Sequence, residues 1–273
     1  MPRRANPPVL KRFGQHFLTD QVTLDAIAAA VAPESTDTVI EIGPGRGVLT
    51  DLLASFPNDL IAIEIDHLLS EHLRERYADN PRVRILEKDV LAVEVGSLVN
   101  GPFVIVGNVP YYITTPILFH VLRAPLPRHA VFLVQREVAD RIVSNPGSKE
   151  YGALTVNVQA ISNAEIIRRV PPGAFKPPPK VDSAVIRITP RADPLITVDE
   201  VDPFRRFVQS LFAMRRKQIG NVLRSVTDRS SEILASLGID SKARPETLSP
   251  ALFVLLYRSV HPKPTANGEL PIR

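Results

Sequence analysis

The 273-residue sequence contains no cysteine. It can therefore form no disulfide, thiolate nucleophile or thiolate metal site, as is typical of proteins in a reducing compartment. No apolar run approaches the roughly 18–20 residues that cross a bilayer, and no signal-type apolar region follows the basic N-terminus. The six histidines include no pair at the i,i+4 spacing of a helical metal site. We expect a cytoplasmic protein with no membrane segment and no metal.

Basic residues are concentrated at the two ends of the chain, although the formal net charge is only +4. Residues 1–19 carry four basic and no acidic side chains, and residues 191–273 carry 13 basic and nine acidic ones. Basic ends are typical of a protein that binds nucleic acid, because neutralised phosphates supply most non-specific affinity. The alternative is a solvated tail and a solvated helix face.

Five short apolar runs between residues 20 and 135 predict strands. They are Thr38–Ile42, Leu60–Ile65, Arg82–Leu86, Phe103–Val106 and Ala130–Val134. Helical patterns precede the first run, over 20–32, and separate the first three runs from one another. Strands separated by such helices form βαβ units, so the sequence predicts an α/β fold with a Rossmann-like parallel sheet and helices on both faces.

The chain is less regular after Arg136. We predict a helix over 137–144, then a loop over 145–152 and a strand over 181–189. The proline-rich segment 171–179 is expected to be a stiff extended loop.

From Pro203 onward the pattern is helical. One apolar stripe contains Phe204, Phe207, Val208, Leu211 and Phe212. We therefore divide the chain into a larger domain, residues 1–190, and a small all-helical domain, residues 191–273.

The ends of the first four predicted strands carry Gly43, Glu64, Asp89 and Asn108. In a parallel sheet these ends meet at one edge, where ligands bind. The glycines of Gly43-Pro-Gly-Arg-Gly47 allow a tight turn with close approach of a ligand to the backbone. Their spacing differs from the dinucleotide pattern and from a phosphate loop. A carboxylate at Glu64 can accept hydrogen bonds from both ribose hydroxyls, and Asp89 from an adenine amine; ordinary strand-end acids are the alternative.

The segment Asn108-Val-Pro-Tyr111 offers an amide, a proline and an aromatic ring at a strand end. Adenine N6 is a poor nucleophile because its lone pair is delocalised into the ring. If the Asn108 side-chain carbonyl and the Pro110 backbone carbonyl each accept an N6–H, that lone pair is freed. Tyr111 can then stack on the base, so catalysis is mainly positioning. The alternative is an asparagine-capped turn with a buried tyrosine.

Six segments together resemble the KsgA family of small-subunit ribosomal RNA adenine dimethyltransferases, over nearly the whole chain. They are 12–18, 41–45, 63–66, 108–111, 171–181 and 215–217. The resemblance implies a class I methyltransferase sheet and the use of S-adenosylmethionine. It also implies dimethylation of N6 on two adjacent adenosines in a hairpin loop of small-subunit RNA, coupled to subunit assembly, by a protein that we expect to be a monomer.

The resemblance also implies roles for the cofactor-site residues. The basic segment 1–19 would fold over the cofactor through Gln15, His16 and Leu18. The glycine turn, with Gly43 and Gly45, would contact the methionine part. The remaining roles fall on Glu64 for the ribose, Asp89 for the adenine and Asn108 for both cofactor and target base.

For the RNA, the resemblance implies that Phe175 closes the face of the target base opposite Tyr111. Phosphates would be contacted by Lys11, Arg12, Arg215, Arg216 and Lys217. Two positions depart from the family. His16 stands where asparagine is usual and adds pH dependence, and Val109 stands where leucine or isoleucine is usual.

Other functions remain open from the sequence. The nearest is the large-subunit RNA methylase of the macrolide-resistance type, which shares fold and chemistry. A largely non-catalytic assembly factor for the small subunit is another. A DNA adenine methylase usually has aspartate at the place of Asn108, and a nicotinamide dehydrogenase needs a different glycine spacing.

Overall fold

The computed structural model describes residues 16–214 and 217–262. The chain divides into two compact units. The first contains the chain up to Ala139 together with Ala164–Pro190, and the second contains Asp140–Asn163 together with the chain from Arg191 on. Residues 140–163 therefore group with the C-terminal helices, whereas the sequence interpretation placed them in the larger domain.

The strands coincide with the predicted runs to within one or two residues in the first half of the chain. In chain order they are β1 (Phe17–Leu18), β2 (Thr38–Ile42), β3 (Leu60–Glu64), β4 (Val83–Glu87), β5 (Phe103–Asn108), β6 (Ala130–Gln135), β7 (Ser162–Val170), β8 (Phe175–Lys176) and β9 (Ser183–Pro190). Seven of them form one sheet in the order β4-β3-β2-β5-β6-β9-β7. The first five in that order are parallel, and β9 is antiparallel to β6.

The helices of the first half are α1 (Gln21–Val31), α2 (Val48–Leu53), α3 (His67–Arg76) and α4 (Thr114–Val121). Those that follow are α5 (Arg136–Val143), α6 (Ala153–Gln159), α7 (Val201–Ala213), α8 (Ile219–Arg224), α9 (Ser230–Ser236) and α10 (Pro250–Val260). Side-chain caps begin three of them: Asp20 accepts from the Thr23 N–H at 2.9 Å, Asp66 from the Leu68 N–H at 3.0 Å, and Ser249 from the Leu252 N–H at 3.3 Å. The predicted α/β fold, with helices on both sides of the sheet, is confirmed.

The sheet is buried on both faces at its centre. Residues 130–134 of β6 are at most 1% exposed, and those of β5 from Phe103 to Val106 at most 2%. Strands covered by helices on both sides read as continuous apolar runs rather than as alternating patterns. This is why the sequence located them well.

The strand order places a crevice beside β2. The chain runs from β2 outward through β3 and β4 and then returns to the other side of β2 as β5. Connecting loops therefore leave in opposite directions at the carboxyl ends of β2 and β5, which is where ligands bind in such sheets. The register pairs Ile42 with Gly107, so the residues that follow, Gly43 and Asn108, are neighbours.

In the second unit the predicted apolar stripe of α7 is buried throughout, with exposures of 0–7%. Phe212 stacks on Phe253 of α10 at a ring-centroid distance of 5.4 Å. Tyr151 donates its hydroxyl to the Leu248 carbonyl at 2.7 Å. Within the described ranges, no helix combines the length and apolarity needed to cross a membrane.

Candidate active site

One pocket lies at the carboxyl ends of β2, β3 and β5, and we call it the strand-end pocket. Its lining includes the sequence-predicted residues His16, Leu18, Gly43, Gly45, Glu64, Asp89, Asn108, Pro110 and Tyr111. The structure therefore brings together residues that are up to 95 positions apart in the sequence. Five other predicted residues lie outside the described part of the chain. They are Lys11, Arg12, Gln15, Arg215 and Arg216. Lys217 is described and exposed.

Glu64 ties the glycine turn to the start of α3. Its Oε2 accepts the Gly45 N–H at 3.0 Å, and its Oε1 accepts the Asp66 N–H at 2.9 Å. Burial raises the pKa of the Glu64 carboxyl, and these backbone hydrogen bonds oppose that rise. A carboxylate offers about four acceptor positions. Glu64 can therefore hold the turn and still accept hydrogen bonds from a ligand in the pocket.

The glycine turn leaves room that side chains would fill. Gly43 and Gly45 have φ values of +69° and +59°, a region that L-residues rarely adopt. A Cβ built on Gly45 would lie 3.0 Å from the Phe17 ring. The turn thus presents its backbone directly to the pocket.

Glu41 is a pocket residue that the sequence reasoning did not select. It lies on β2, is 1% exposed, and its Oε2 has no hydrogen-bond partner among the described residues. Burial is the main cause that raises the pKa of Glu41 to about 8. The sequence did contain a signal for Glu41, because it is an acidic residue between Ile40 and Ile42 in an otherwise apolar buried strand. An unpartnered buried carboxyl oxygen suits a ligand that carries a cationic or donor group.

Glu41 leads to a prediction about pH. The folded protein holds a proton on Glu41 between its ordinary pKa near 4.5 and its folded pKa near 8, whereas the unfolded chain releases it. Stability of the ligand-free protein should therefore fall as pH rises through this window. Glu41→Gln removes that titration, so its melting temperature should fall less between pH 5 and pH 8. Thermal scans of both proteins check this, and equal slopes would contradict it.

Asp89 lies at the pocket after β4. Its Oδ1 accepts the Leu91 N–H at 2.9 Å and so begins a short turn over Val90–Ala92. The side chain is exposed, and its second oxygen is not used by this cap. This geometry leaves an acceptor at the pocket edge, as expected from the sequence.

Asn108 is held by the chain segment that precedes α1. Its Nδ2 donates to the His16 carbonyl at 3.0 Å. This hydrogen bond fixes the orientation of the Asn108 amide. It uses a hydrogen of the amide nitrogen and does not involve the acceptor oxygen, Oδ1. The carbonyl oxygen expected to accept from a substrate amine therefore has a defined orientation.

Tyr111 is fixed at both its hydroxyl and its ring. The hydroxyl lies 2.6 Å from the Ser183 Oγ, and the ring stacks on His16 with centroids 6.0 Å apart and planes at 21°. Burial raises the pKa of Tyr111, so it remains a neutral phenol at neutral pH. The ring is thus a positioned stacking surface.

His16 also connects a pocket-lining segment to the proline-rich loop. Its Nδ1 lies 2.8 Å from the Pro177 carbonyl, which can only accept, so Nδ1 carries the hydrogen. The His16 side chain, which departs from the family pattern, therefore links the segment before α1 to the proline-rich loop. The His16 backbone carbonyl accepts the hydrogen bond from Asn108.

Two expectations do not match the geometry. The Pro110 carbonyl accepts from the Ile113 N–H at 3.2 Å and the Thr114 hydroxyl at 3.3 Å, so its own turn uses it. Phe175 is 2% exposed, belongs to the apolar core and is not part of the pocket lining. The reason is that β8 pairs with β1, opposite Leu18, and this pairing directs Phe175 inward.

Comparisons with known proteins identify the family of this chain. Residues 9–261 match the family described as Ribosomal RNA adenine dimethylase. The chain belongs to this family. Two relatives named Ribosomal RNA small subunit methyltransferase A are similar to this chain over most of its length. The one from Geobacter sulfurreducens is 41% identical, covering 92% of this chain and 94% of its own. The one from Acidobacterium capsulatum is 42% identical, with coverages of 91% and 90%.

Solved structures of similar proteins support the same membership. A dimethyladenosine transferase from Plasmodium falciparum has a TM-score of 0.77 and 25% identity, over 88% of this chain and 96% of its own. The 23S rRNA methyltransferase ErmE has a TM-score of 0.71 and 30% identity, over 89% and 99%. The dimethylase fold is therefore common to enzymes that act on different ribosomal RNAs, and the fold alone does not determine which RNA is methylated.

Proposed function

We propose that this dimethylase transfers methyl groups to N6 of two adjacent adenosines in a hairpin loop of small-subunit ribosomal RNA, in step with subunit assembly. The observation that carries the proposal is the strand-end pocket, where an oriented Asn108 and a fixed Tyr111 border the turn held by Glu64. Small-subunit specificity is supported by relatives at 38–42% identity that carry the small-subunit name.

The residues at the pocket fit S-adenosylmethionine. This cofactor supplies an electrophilic methyl group on a sulfonium. Gly43 leaves space beside the backbone, the Gly45 N–H is held by Glu64, and Glu64 can still accept from ribose hydroxyls. Asp89 offers an acceptor at the edge for the adenine amine. The Glu41 Oε2, buried with no hydrogen-bond partner among the described residues, suits the ammonium end.

Asn108 and Tyr111 position the target base. The Asn108 Oδ1 accepts one N6–H of the adenine, which draws the nitrogen toward a tetrahedral shape and frees its lone pair. Tyr111 stacks on the base and holds N6 in place. N6 becomes cationic on methylation, so its proton is acidic and is lost to water without a side chain acting as general base. The reaction disperses positive charge, which a dry pocket tolerates. Pro110 contributes through the turn that its carbonyl closes rather than as an acceptor for N6.

The RNA is bound by basic residues near the start of the chain and after α7. We assign phosphate contacts to Lys11, Arg12, Arg215, Arg216 and Lys217, since such contacts fix register without reading sequence. The protein would act as a monomer in the cytoplasm, on the small subunit or its precursor.

The large-subunit methylase is the second candidate, because a 23S rRNA methyltransferase of known structure shares 30% identity and the fold. The proposal is tested by incubating purified protein and a labelled methyl donor with under-methylated 30S particles or with 50S particles, followed by mapping of modified nucleosides. We expect N6-dimethyladenosine at two neighbouring positions of the 30S RNA alone. Label in 50S particles, or protection of cells from macrolides, would favour the second candidate.

A non-catalytic assembly factor is distinguished in the same experiment. It would bind the immature 30S particle without incorporating label. An Asn108→Ala protein serves as the control that binds the particle without transferring methyl groups. If the wild-type protein incorporated no more label than this variant, the enzymatic function would be excluded.

A further inference from the structure

Tyr112 is an aromatic residue at the rim of the strand-end pocket. It follows Tyr111 in the turn Tyr111–Ile113, lines the pocket, and is 64% exposed. Tyr111 has its hydroxyl on Ser183 and its ring against His16. The two consecutive tyrosines therefore differ: one is fixed inside the pocket and the next presents its ring to solvent.

The other tyrosines of the chain have structural contacts. The Tyr77 hydroxyl donates to Asp51 at 2.6 Å, Tyr151 donates to the Leu248 carbonyl, and the Tyr257 ring packs on Phe204 at 5.6 Å. Within the described parts of the chain, the Tyr112 side chain makes no hydrogen bond and no ring contact. Packing thus does not account for a large aromatic ring at this position.

We propose that Tyr112 is the stacking surface for the nucleotide next to the target adenosine; this rests on the proposed dimethylation of an adjacent pair. When one adenine of the pair enters the pocket, a single phosphodiester keeps its neighbour near the entrance, where Tyr112 lies. Stacking of bases on aromatic side chains tolerates any base, because every base has a π-face.

A stacking subsite also fits the two-target chemistry. Once one adenosine is dimethylated, its N6 carries no hydrogen and cannot be held by an acceptor such as the Asn108 Oδ1. Its flat face is unchanged. Tyr112 can therefore accept the neighbour before or after modification, and Asn108 selects only a base that still has an N6–H. The pair can be processed in either order through one pocket.

The test compares wild type with Tyr112→Ala and Tyr112→Phe on 30S particles reconstituted with unmethylated RNA of the natural sequence. We expect Tyr112→Ala to lower kcat/KM for the particle about 5- to 20-fold, the lower part of the range for stacking on one base, with cofactor affinity unchanged. Tyr112→Phe should match wild type, because the ring is kept. Leu126→Ala is the matched control, since Leu126 is 43% exposed and does not line the pocket.

A second substrate shows whether the neighbour is what Tyr112 contacts. In particles whose RNA has one adenosine of the pair replaced by uridine, which stacks more weakly, the wild-type advantage over Tyr112→Ala should shrink. Equal turnover of Tyr112→Ala and wild type on the natural pair, or an equal loss on both substrates, overturns this inference alone. If wild type does not dimethylate the pair, the proposed function fails and the inference fails with it.

Discussion

Asn108→Ala is expected to lower the rate of methyl transfer to 30S particles by at least about 100-fold, the usual scale for loss of one preorganised hydrogen-bonding group at a reacting atom. The substitution removes the acceptor for N6–H, and the base can then rotate away from its reactive position. Cofactor affinity should change by less than about tenfold, because Glu64 and the glycine turn are untouched. Single-turnover kinetics and calorimetric cofactor titration measure the two effects separately.

The structural part of the Asn108 effect needs its own control. Asn108 also donates to the His16 carbonyl, so the variant loses a hydrogen bond of about 1 kcal/mol. Asn58 is a suitable match, since its buried amide donates to the Glu34 and Asp37 carbonyls away from the pocket. Asn58→Ala should destabilise the fold and keep normal turnover per folded molecule. Turnover of Asn108→Ala within a fewfold of wild type would remove Asn108 from catalysis.

Tyr111→Ala is expected to reduce kcat/KM for 30S particles about 5- to 150-fold, because stacking of one base on an aromatic ring contributes about 1–3 kcal/mol. The loss should appear mainly in the kinetic constants measured for the RNA particle, and the affinity for the cofactor should be preserved. The variant also removes the ring that packs on His16. Steady-state kinetics with varied particle concentration check the expectation.

Two conservative variants separate the Tyr111 ring from its hydroxyl. Tyr111→Phe keeps the stacking surface and loses the bond to Ser183, and Ser183→Ala removes the same bond from the other side. Both should retain turnover within a fewfold of wild type. If Tyr111→Phe were as inactive as Tyr111→Ala, the hydroxyl rather than the ring would matter, and the assigned stacking role would be wrong.

The parallel core was predictable because its signal is local. Strands buried on both faces need uninterrupted apolar residues, so β2, β3, β5 and β6 were located to within one or two residues. The strand ends then indicated the site, since a parallel sheet brings its carboxyl ends to one edge. Gly43, Glu64, Asp89 and Asn108 do line one pocket.

Elements at the periphery were not predicted. The nine-residue β7 lies at the edge of the sheet, and only Ser162 and Val170 at its ends are buried. An edge strand needs no continuous apolar run, so its sequence carries little strand signal. The short helix α6 was missed as well, and the grouping of residues 140–163 with the C-terminal helices depends on long-range contacts.

By itself, the sequence determined the class of fold, the edge of the sheet that binds ligands and the family to which the chain belongs. These depend on residue types and spacing along the chain. Only the tertiary structure decided that Phe175 lies in the core, that the Pro110 carbonyl is used by its own turn, and that one oxygen of Glu41 is buried at the pocket with no hydrogen-bond partner among the described residues. Each of these depends on which side chains meet across distant segments, and burial and hydrogen-bond pairing exist only once those segments have packed together.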